Sequence, residues 1–139
     1  MALLVGPDIE QIVGDYLRSH PDVRAVVGRV VSRPPADTRT PWVKYSQPVP
    51  SWGLSGPAHY LRGYLIQCDC YAGVDNSRET AALIGRTVSA ALAAMAGTYG
   101  TAVVSGVPSV GDAHVPDPDF GDPPRERYIV SATIVARPA

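Results

Sequence analysis

Acidic side chains with cation-binding chemistry are concentrated in one segment near the end of the sequence. Residues 111–126 carry four aspartates interrupted by prolines: Asp112, Asp117, Asp119 and Asp122. Carboxylate oxygens bind calcium, but the spacing is not that of an EF-hand loop, and the prolines fix a different backbone. The pattern favours a solvated acidic loop that faces a basic surface of a partner protein. There its negative charge would affect the orientation of the two proteins and the rate at which they associate.

Cys68 and Cys70 are the second group with metal-binding chemistry. One residue separates them within a predicted strand, so they lie on one face with Cβ atoms too far apart for an unstrained disulfide. The histidines, His20, His59 and His114, have no His or Cys partner at metal-ligand spacing. We therefore expect two small buried apolar side chains, no metal and no other cofactor.

Signatures of nucleotide binding and acyl transfer are missing from the sequence. No Gly-x-x-x-x-Gly-Lys-Ser/Thr, Gly-x-Gly-x-x-Gly or Gly-x-Ser-x-Gly occurs. We expect no catalytic residues and a protein that is not an enzyme. A small-molecule-binding α+β module or enzyme is the alternative from another functional class. In that case Asp69, His59 and Tyr64 are the first candidates for the polar groups that line its pocket.

Length and composition are those of a small globular domain. The 139 residues fit a single domain, 1–139, with 45% hydrophobic and 18% charged residues. A net charge of −1 without a basic block argues against direct nucleic-acid binding. No apolar run approaches the roughly 20 residues that span a bilayer, and no signal peptide is recognisable. We expect no membrane contact and synthesis in the cytoplasm.

The first half of the sequence predicts one helix and two strands. Residues 8–18 have apolar side chains at helical spacing, with Asp8 as a start signal and Pro21 as a stop signal. Residues 26–32 and 42–47 are short segments rich in strand-forming residues.

The second half predicts a long strand, a helix and two further strands. Residues 60–72 alternate in polarity, and the predicted core face comprises Tyr64, Ile66, Cys68 and Cys70. A helix follows, with Asn76 and Glu79 as a start resembling a capping box. Its apolar stripe comprises Ile84, Val88, Ala91, Leu92 and Met95. Strands over 102–107 and 127–136 end the chain.

These elements predict an α+β fold, in which a mainly antiparallel sheet of about four to five strands packs against two helices in the order α-β-β-β-α-β-β. Long loops over 46–59 and 111–126 fall outside them, and loops of this length are usually either functional or disordered. The loops carry Trp52, Leu54 and Phe120, large apolar side chains without a periodic element to bury them. Docking of a partner is one interpretation, and folding back over the sheet is the other.

Four segments carry a recognisable family pattern. They are the opening helix over 8–18, Thr40-Pro41-Trp42-Val43 at a strand start, Leu65-Ile66-Gln67-Cys68-Asp69-Cys70-Tyr71-Ala72 before a capped alanine-rich helix, and the closing segment Arg127–Pro138. With them, most of the chain resembles the tail terminator (tail completion, minor tail) proteins of long-tailed bacteriophages, particularly those of actinobacterial hosts.

The resemblance implies a structural virion protein at the head-proximal end of the tail. Its subunits form a homo-oligomeric ring, a hexamer, that caps the tail tube, ends polymerisation of the tail tube protein and joins the tail to the head-tail connector protein. Genomic DNA passes through the lumen without specific binding. The family has no catalytic residues to carry over.

A closed ring requires two different complementary surfaces on each subunit. The candidates are the apolar loop with Trp52 and Leu54, the acidic loop with Asp117, Asp119, Phe120 and Asp122, and the basic residues around the first two strands, Arg33 and Arg39 among them. Acidic and basic surfaces would pair across subunits. A head-tail connector (neck, head completion) ring protein remains the alternative within the virion.

Overall fold

Seven strands and three helices make up the described part of the chain, which comprises residues 5–54, 60–120 and 123–139 of a computed structural model. In chain order these elements are α1 (Ile9–Ser19), α2 (Pro21–Val26), β1 (Arg29–Val31), β2 (Trp42–Ser46), β3 (Trp52–Gly53), β4 (Arg62–Tyr71), α3 (Arg78–Ala93), β5 (Gly97–Tyr99), β6 (Ala102–His114), a 3-10 turn (Pro118–Phe120) and β7 (Arg127–Pro138).

All seven strands belong to one sheet. The strand order is β1-β2-β4-β7-β6-β5, and the short β3 lies in line with β2 along the same side of β4. Only β1 and β2 pair in parallel; the other pairs are antiparallel. At the centre, β4 and β7 pair in one register from Arg62↔Ala136 to Tyr71↔Arg127. The α+β class and the mainly antiparallel sheet are confirmed.

The hydrophobic core lies between the helices and one face of the sheet. The predicted core face of β4 is confirmed, since Tyr64, Ile66, Cys68 and Cys70 are all buried. The apolar stripe predicted around α3 is buried in full as well: Ile84, Val88, Ala91, Leu92 and Met95. Helix α1 starts as predicted, because the Asp8 carboxylate accepts a hydrogen bond from the Gln11 N–H at 3.1 Å.

Both cysteines are free thiols within this core. Burial raises the pKa of Cys68 to about 12 and that of Cys70 well above its ordinary value. The thiols therefore stay protonated at neutral pH, which is the chemistry of structural rather than reactive cysteines.

The interpretation of Pro21 as a stop signal holds for α1, which ends at Ser19, but it was incomplete, because a second helix follows directly. Pro21 is the first residue of α2, where its missing N–H costs nothing and its fixed φ suits the helix. His20 caps this helix, because its Nδ1 accepts a hydrogen bond from the Asp22 N–H at 3.2 Å. Helix α2 includes Val26, and of the strand predicted over 26–32 only β1 is formed.

The predicted strand count and the order α-β-β-β-α-β-β were also wrong. β3 and β5 are too short to leave a periodic pattern, with two and three residues. Conversely, β6 continues past the predicted end at Val107 to His114. Register shifts on either side of Gly106 accommodate Pro108, because a bulge leaves a residue without a ladder partner.

The N-cap of helix α3 lies one residue later than predicted. Ser77 is the N-cap, and its Oγ accepts a hydrogen bond from the Thr80 N–H at 3.2 Å. Asn76 has a positive φ of 47°, which asparagine tolerates better than most residues. Its side chain instead accepts a hydrogen bond from the Glu126 N–H at 2.7 Å.

Ile66→Asp tests the assignment of faces on β4. The new carboxylate would be buried among apolar side chains, so we expect a loss of about 4 kcal/mol or more in the free energy of unfolding. Urea denaturation followed by circular dichroism measures it. Ser131→Asp, on an exposed position of the neighbouring strand β7, is the matched control and should change stability little. Equal effects of the two changes would refute the assignment.

Candidate functional site

An aromatic cluster, defined as Trp42, Tyr71 and Phe120, covers the sheet face opposite the helices. Trp42 and Tyr71 are cross-strand neighbours whose rings stack 4.0 Å apart at 11°. Phe120 lies edge-on to both rings, with centroid distances of 5.7 and 5.5 Å. The Trp42 indole N–H finds no acceptor among the described residues, so packing alone holds this ring.

A charged network extends the cluster along the same face. The Tyr71 hydroxyl donates a hydrogen bond to Asp117 Oδ2 at 2.7 Å, and Arg127 Nη1 lies 3.3 Å from the same oxygen. Arg127 Nη1 is also 4.0 Å from Asp69 Oδ2, and Lys44 Nζ is 3.8 Å from that oxygen. Two buried carboxylates thus share two cations, which is how proteins offset the cost of burying charge.

The network sets the protonation of Asp117. Burial by itself would raise the pKa of Asp117, but the hydrogen bonds from the Tyr71 hydroxyl and the Asp119 N–H, with the Arg127 charge, hold it below its ordinary value. For Tyr71, burial first and the bond to Asp117 second raise the pKa. At neutral pH the pair is therefore an ionised carboxylate and a neutral phenol.

The segment between β6 and β7 is fixed to the body of the protein by more than Asp117. Arg125 exchanges backbone hydrogen bonds with Asp117 at 2.8 and 3.0 Å. Its guanidinium donates to the carbonyl oxygens of Thr38 and Gly73, both at 3.1 Å. His114 pairs with Glu126 across the base of the segment. The described residues of 115–126 therefore form part of the fold.

The prediction of a solvated acidic loop over 111–126 was wrong in its first residues and at Asp117. Residues 111–114 belong to β6, and Asp117 is only 6% exposed because its partners lie within the chain. Asp112 and Asp119 are exposed, and Asp122 lies outside the described residues. The sequence shows four carboxylates in this segment, but no local pattern indicates that Tyr71 and Arg127 are the buried partners of Asp117.

Phe120 folds back over the sheet, the second of the two interpretations of its loop. The premise that no element buries it was wrong, since Trp42 and Tyr71 supply the packing surface. A contact of Phe120 or Asp117 with another protein stays a prediction, and both side chains already stabilise the monomer.

The basic residues around β1 and β2 differ in their partners. Arg39 is exposed but forms hydrogen bonds with both carboxylate oxygens of Asp37, at 2.9 and 3.0 Å. Arg29 donates to the Asp37 carbonyl at 2.8 Å. Arg33 is exposed and has neither a hydrogen bond nor an ion pair within the part of the chain that the structure describes. Of these three, only Arg33 is left to pair with another molecule.

An exposed apolar patch, defined as Val49, Trp52 and Leu54, surrounds β3. Trp52 is 38% exposed, and its indole lies over Gly63, where a Cβ would come within 2.6 Å of three ring atoms. Val49 and Leu54 are 41% and 48% exposed. Such clusters are typical of protein-binding surfaces. The remaining part of the predicted loop, residues 55–59, lies outside the described residues.

The residues considered for small-molecule chemistry do not converge. Asp69 and Tyr64 point to opposite faces of β4, because they are five positions apart in a strand whose side chains alternate. His59 lies outside the described residues. Among the described residues no three His, Cys, Asp or Glu side chains form a potential metal site, and no helix has the length and apolar character required to cross a bilayer.

Two solved structures share this fold over nearly the whole chain. One is a protein chain in the virion of a native gene transfer agent particle, with a TM-score of 0.65, 16% identity, and coverage of 93% of this chain and 94% of that one. The other is gp17 of bacteriophage SPP1, with a TM-score of 0.56, 18% identity, and coverage of 91% and 86%. No protein-family model and no curated protein matches the sequence.

Asp117→Asn tests the charged network. The amide keeps the shape and can accept from Tyr71, but it leaves the Arg127 charge without its closest buried partner. We expect a loss of about 1–3 kcal/mol in the free energy of unfolding at pH 7. Asp119→Asn, at an exposed neighbour whose side chain has no partner among the described residues, should cost little.

The pH dependence gives a second readout of the same change. A folded-state pKa below the ordinary value means that the stability is present above about pH 4 and is lost as the pH falls through the folded pKa. The unfolding curves of wild type and Asp117→Asn should therefore converge in acid. A constant difference between pH 7 and pH 2 would contradict the role assigned to the carboxylate.

Proposed function

We propose that this chain is a structural virion protein that caps the phage tail tube, ends its polymerisation and provides the surface that joins the tail to the head. One observation carries the proposal: the fold found in the gene transfer agent virion extends over 93% of this chain and 94% of that one. The likeness to gp17 of bacteriophage SPP1 supports the same class of protein.

The surfaces of the monomer support assembly rather than catalysis. The two outer edges of the sheet, at β1 and at β6, are different surfaces on opposite sides of the subunit, and the exposed apolar patch around β3 is a third surface. A subunit with two different contact surfaces on opposite sides can form head-to-tail contacts, and such contacts generate a closed ring when the rotation between subunits closes. The proposed ring is a hexamer.

Genomic DNA passes through the lumen of the proposed ring without specific binding. A net charge of −1 supports this, because strongly basic walls would retain the phosphate backbone. The proposal places the protein at the head-proximal end of the tail and assigns it no catalytic residue. Its partners are further copies of itself, the tail tube protein and the head-tail connector protein.

A head-tail connector ring is the alternative within the virion. The terminator binds the end of the tail tube first, whereas a connector binds the portal or head-completion rings in the absence of tubes. Separate binding assays with purified tubes and with purified portal complexes distinguish the two. Binding to portal complexes alone would favour the connector.

Leu54→Asp tests the apolar patch as the tube-binding surface. A charge in the centre of a docking surface must be desolvated on binding, so we expect the affinity for purified tail tubes to fall at least about tenfold. Co-sedimentation with tubes measures the affinity, and thermal denaturation should show a folded variant.

The matched control is Leu83→Asp. Leu83 is 46% exposed, close to the 48% of Leu54, but it lies on α3, away from β3. This variant should bind tubes as wild type does. Equal losses in both variants, or undiminished binding by Leu54→Asp, would exclude the patch as the contact surface, and a wild-type protein that binds no tubes would refute the terminator function itself.

A further inference from the structure

The outer edge of β6 is open along most of its length. On one side β6 pairs with β7 from Ala102 to His114. On the other side β5 pairs only with residues 102–104. Within the described residues, the stretch from Ser105 to His114 therefore has no neighbouring strand on its outer side. Its outward backbone N–H and C=O groups are available to another strand.

The end of this edge is regular and well supported. From Ser109 to His114 the pairing with β7 runs without a register shift. The last residue is held in place, because His114 pairs with Glu126 and its ring stacks on Tyr128 at a centroid distance of 5.1 Å. Six residues of fixed, extended backbone, roughly 20 Å long, need little ordering before another strand adds.

One unpaired charge marks this edge. Asp112 is exposed, and among the described residues it takes part in no hydrogen bond or ion pair. The residues on either side of it, Gly111 and Ala113, are small and exposed. A Cβ built at Gly111 meets no atom within 4 Å, so the sheet face at this position is also uncovered.

The opposite edge of the sheet carries the complementary charge. There β1 is the last strand and, among the described residues, pairs with β2 alone; its Val30 carbonyl also accepts a hydrogen bond from Arg18 Nη1 at 2.9 Å. Two residues beyond its end lies Arg33, exposed and likewise without a partner in the described ranges. Two other basic residues of this region, Arg29 and Arg39, are held by Asp37.

We propose that the outer edge of β6, Ser109–His114, docks on the β1 edge of a second copy of this chain, with Asp112 of one copy paired to Arg33 of the next. The two surfaces are different and lie at opposite ends of one sheet, so the contact is heterologous and repeats from copy to copy. Addition of a strand at an open edge supplies backbone hydrogen bonds, and the charge pair selects the register. The inference rests on the proposed function, since it names the contact that builds the ring.

Charge reversal at both positions tests the contact. Asp112→Arg and Arg33→Asp each place like charges across the interface, so each should raise the concentration for half-assembly at least about tenfold. The double variant restores an attractive pair and should assemble close to wild type. Sedimentation velocity over a wide concentration range, at low and at high salt, measures the assembly of each purified protein.

Arg86→Asp is the matched control, because Arg86 is exposed on α3 and has no partner among the described residues. It should assemble as wild type does. Rescue in the double variant supports the contact, and equal effects of Arg33→Asp and Arg86→Asp overturn it. A wild type that remains monomeric at every concentration, or a double variant no better than the single ones, also overturns it.

Amide hydrogen exchange locates the contact independently. In the assembled wild type, the outward amides of residues 109–114 should exchange more slowly than in the Asp112→Arg monomer, whereas amides on the exposed side of α3 should not change. Unchanged exchange over 109–114 in the assembly overturns the inference. Rings that form as described but bind no tail tube would refute the proposed function and leave this contact standing. Tube binding in the absence of this contact would overturn the inference and leave the proposed function standing.

Discussion

Pairing of β4 with β7 in a single ten-residue register is the constraint on which the rest of this structure depends. One face of the pair, with Ile66 and Cys68, completes the core under the helices. The other face carries Tyr71 and Arg127, which hold Asp117. A slip of one residue would exchange the two faces, exposing the apolar set and burying the ionic one under the helices. The core and the charged network therefore specify the same register from opposite sides.

The sequence predicts what depends on local periodicity. Alternation in β4 and helical spacing in α1 and α3 are sufficient to assign the core. Elsewhere the prediction failed where one proline has two local effects. Pro21 ends one helix and also starts the next, and Pro108 interrupts the hydrogen bonding of a strand that nevertheless continues, because a bulge accommodates it. The partners of Asp117 are about 46 residues away at Tyr71 and 10 away at Arg127, and no local pattern encodes such distances.

The same limit explains the outcome at the candidate site. Trp52 and Leu54 remain exposed because β3 offers only two residues of pairing and the described residues place no layer over them. Phe120 had the same appearance in the sequence, yet it packs on Trp42 and Tyr71. What distinguishes them is tertiary: the segment between β6 and β7 is drawn across the sheet by a buried ion pair, and the segment around β3 is not. Edge positions such as Asp112 become meaningful only when the strand order is known.

Two unlike sheet edges and an exposed apolar patch are the features that support the proposed contacts with other proteins. The most direct measurement of that account is the length distribution of tail tubes polymerised from the cognate tube protein with increasing amounts of this chain. The account predicts that tubes stop growing and carry a ring at one end only. Tubes that elongate unchanged, with no density added at either end, would contradict it.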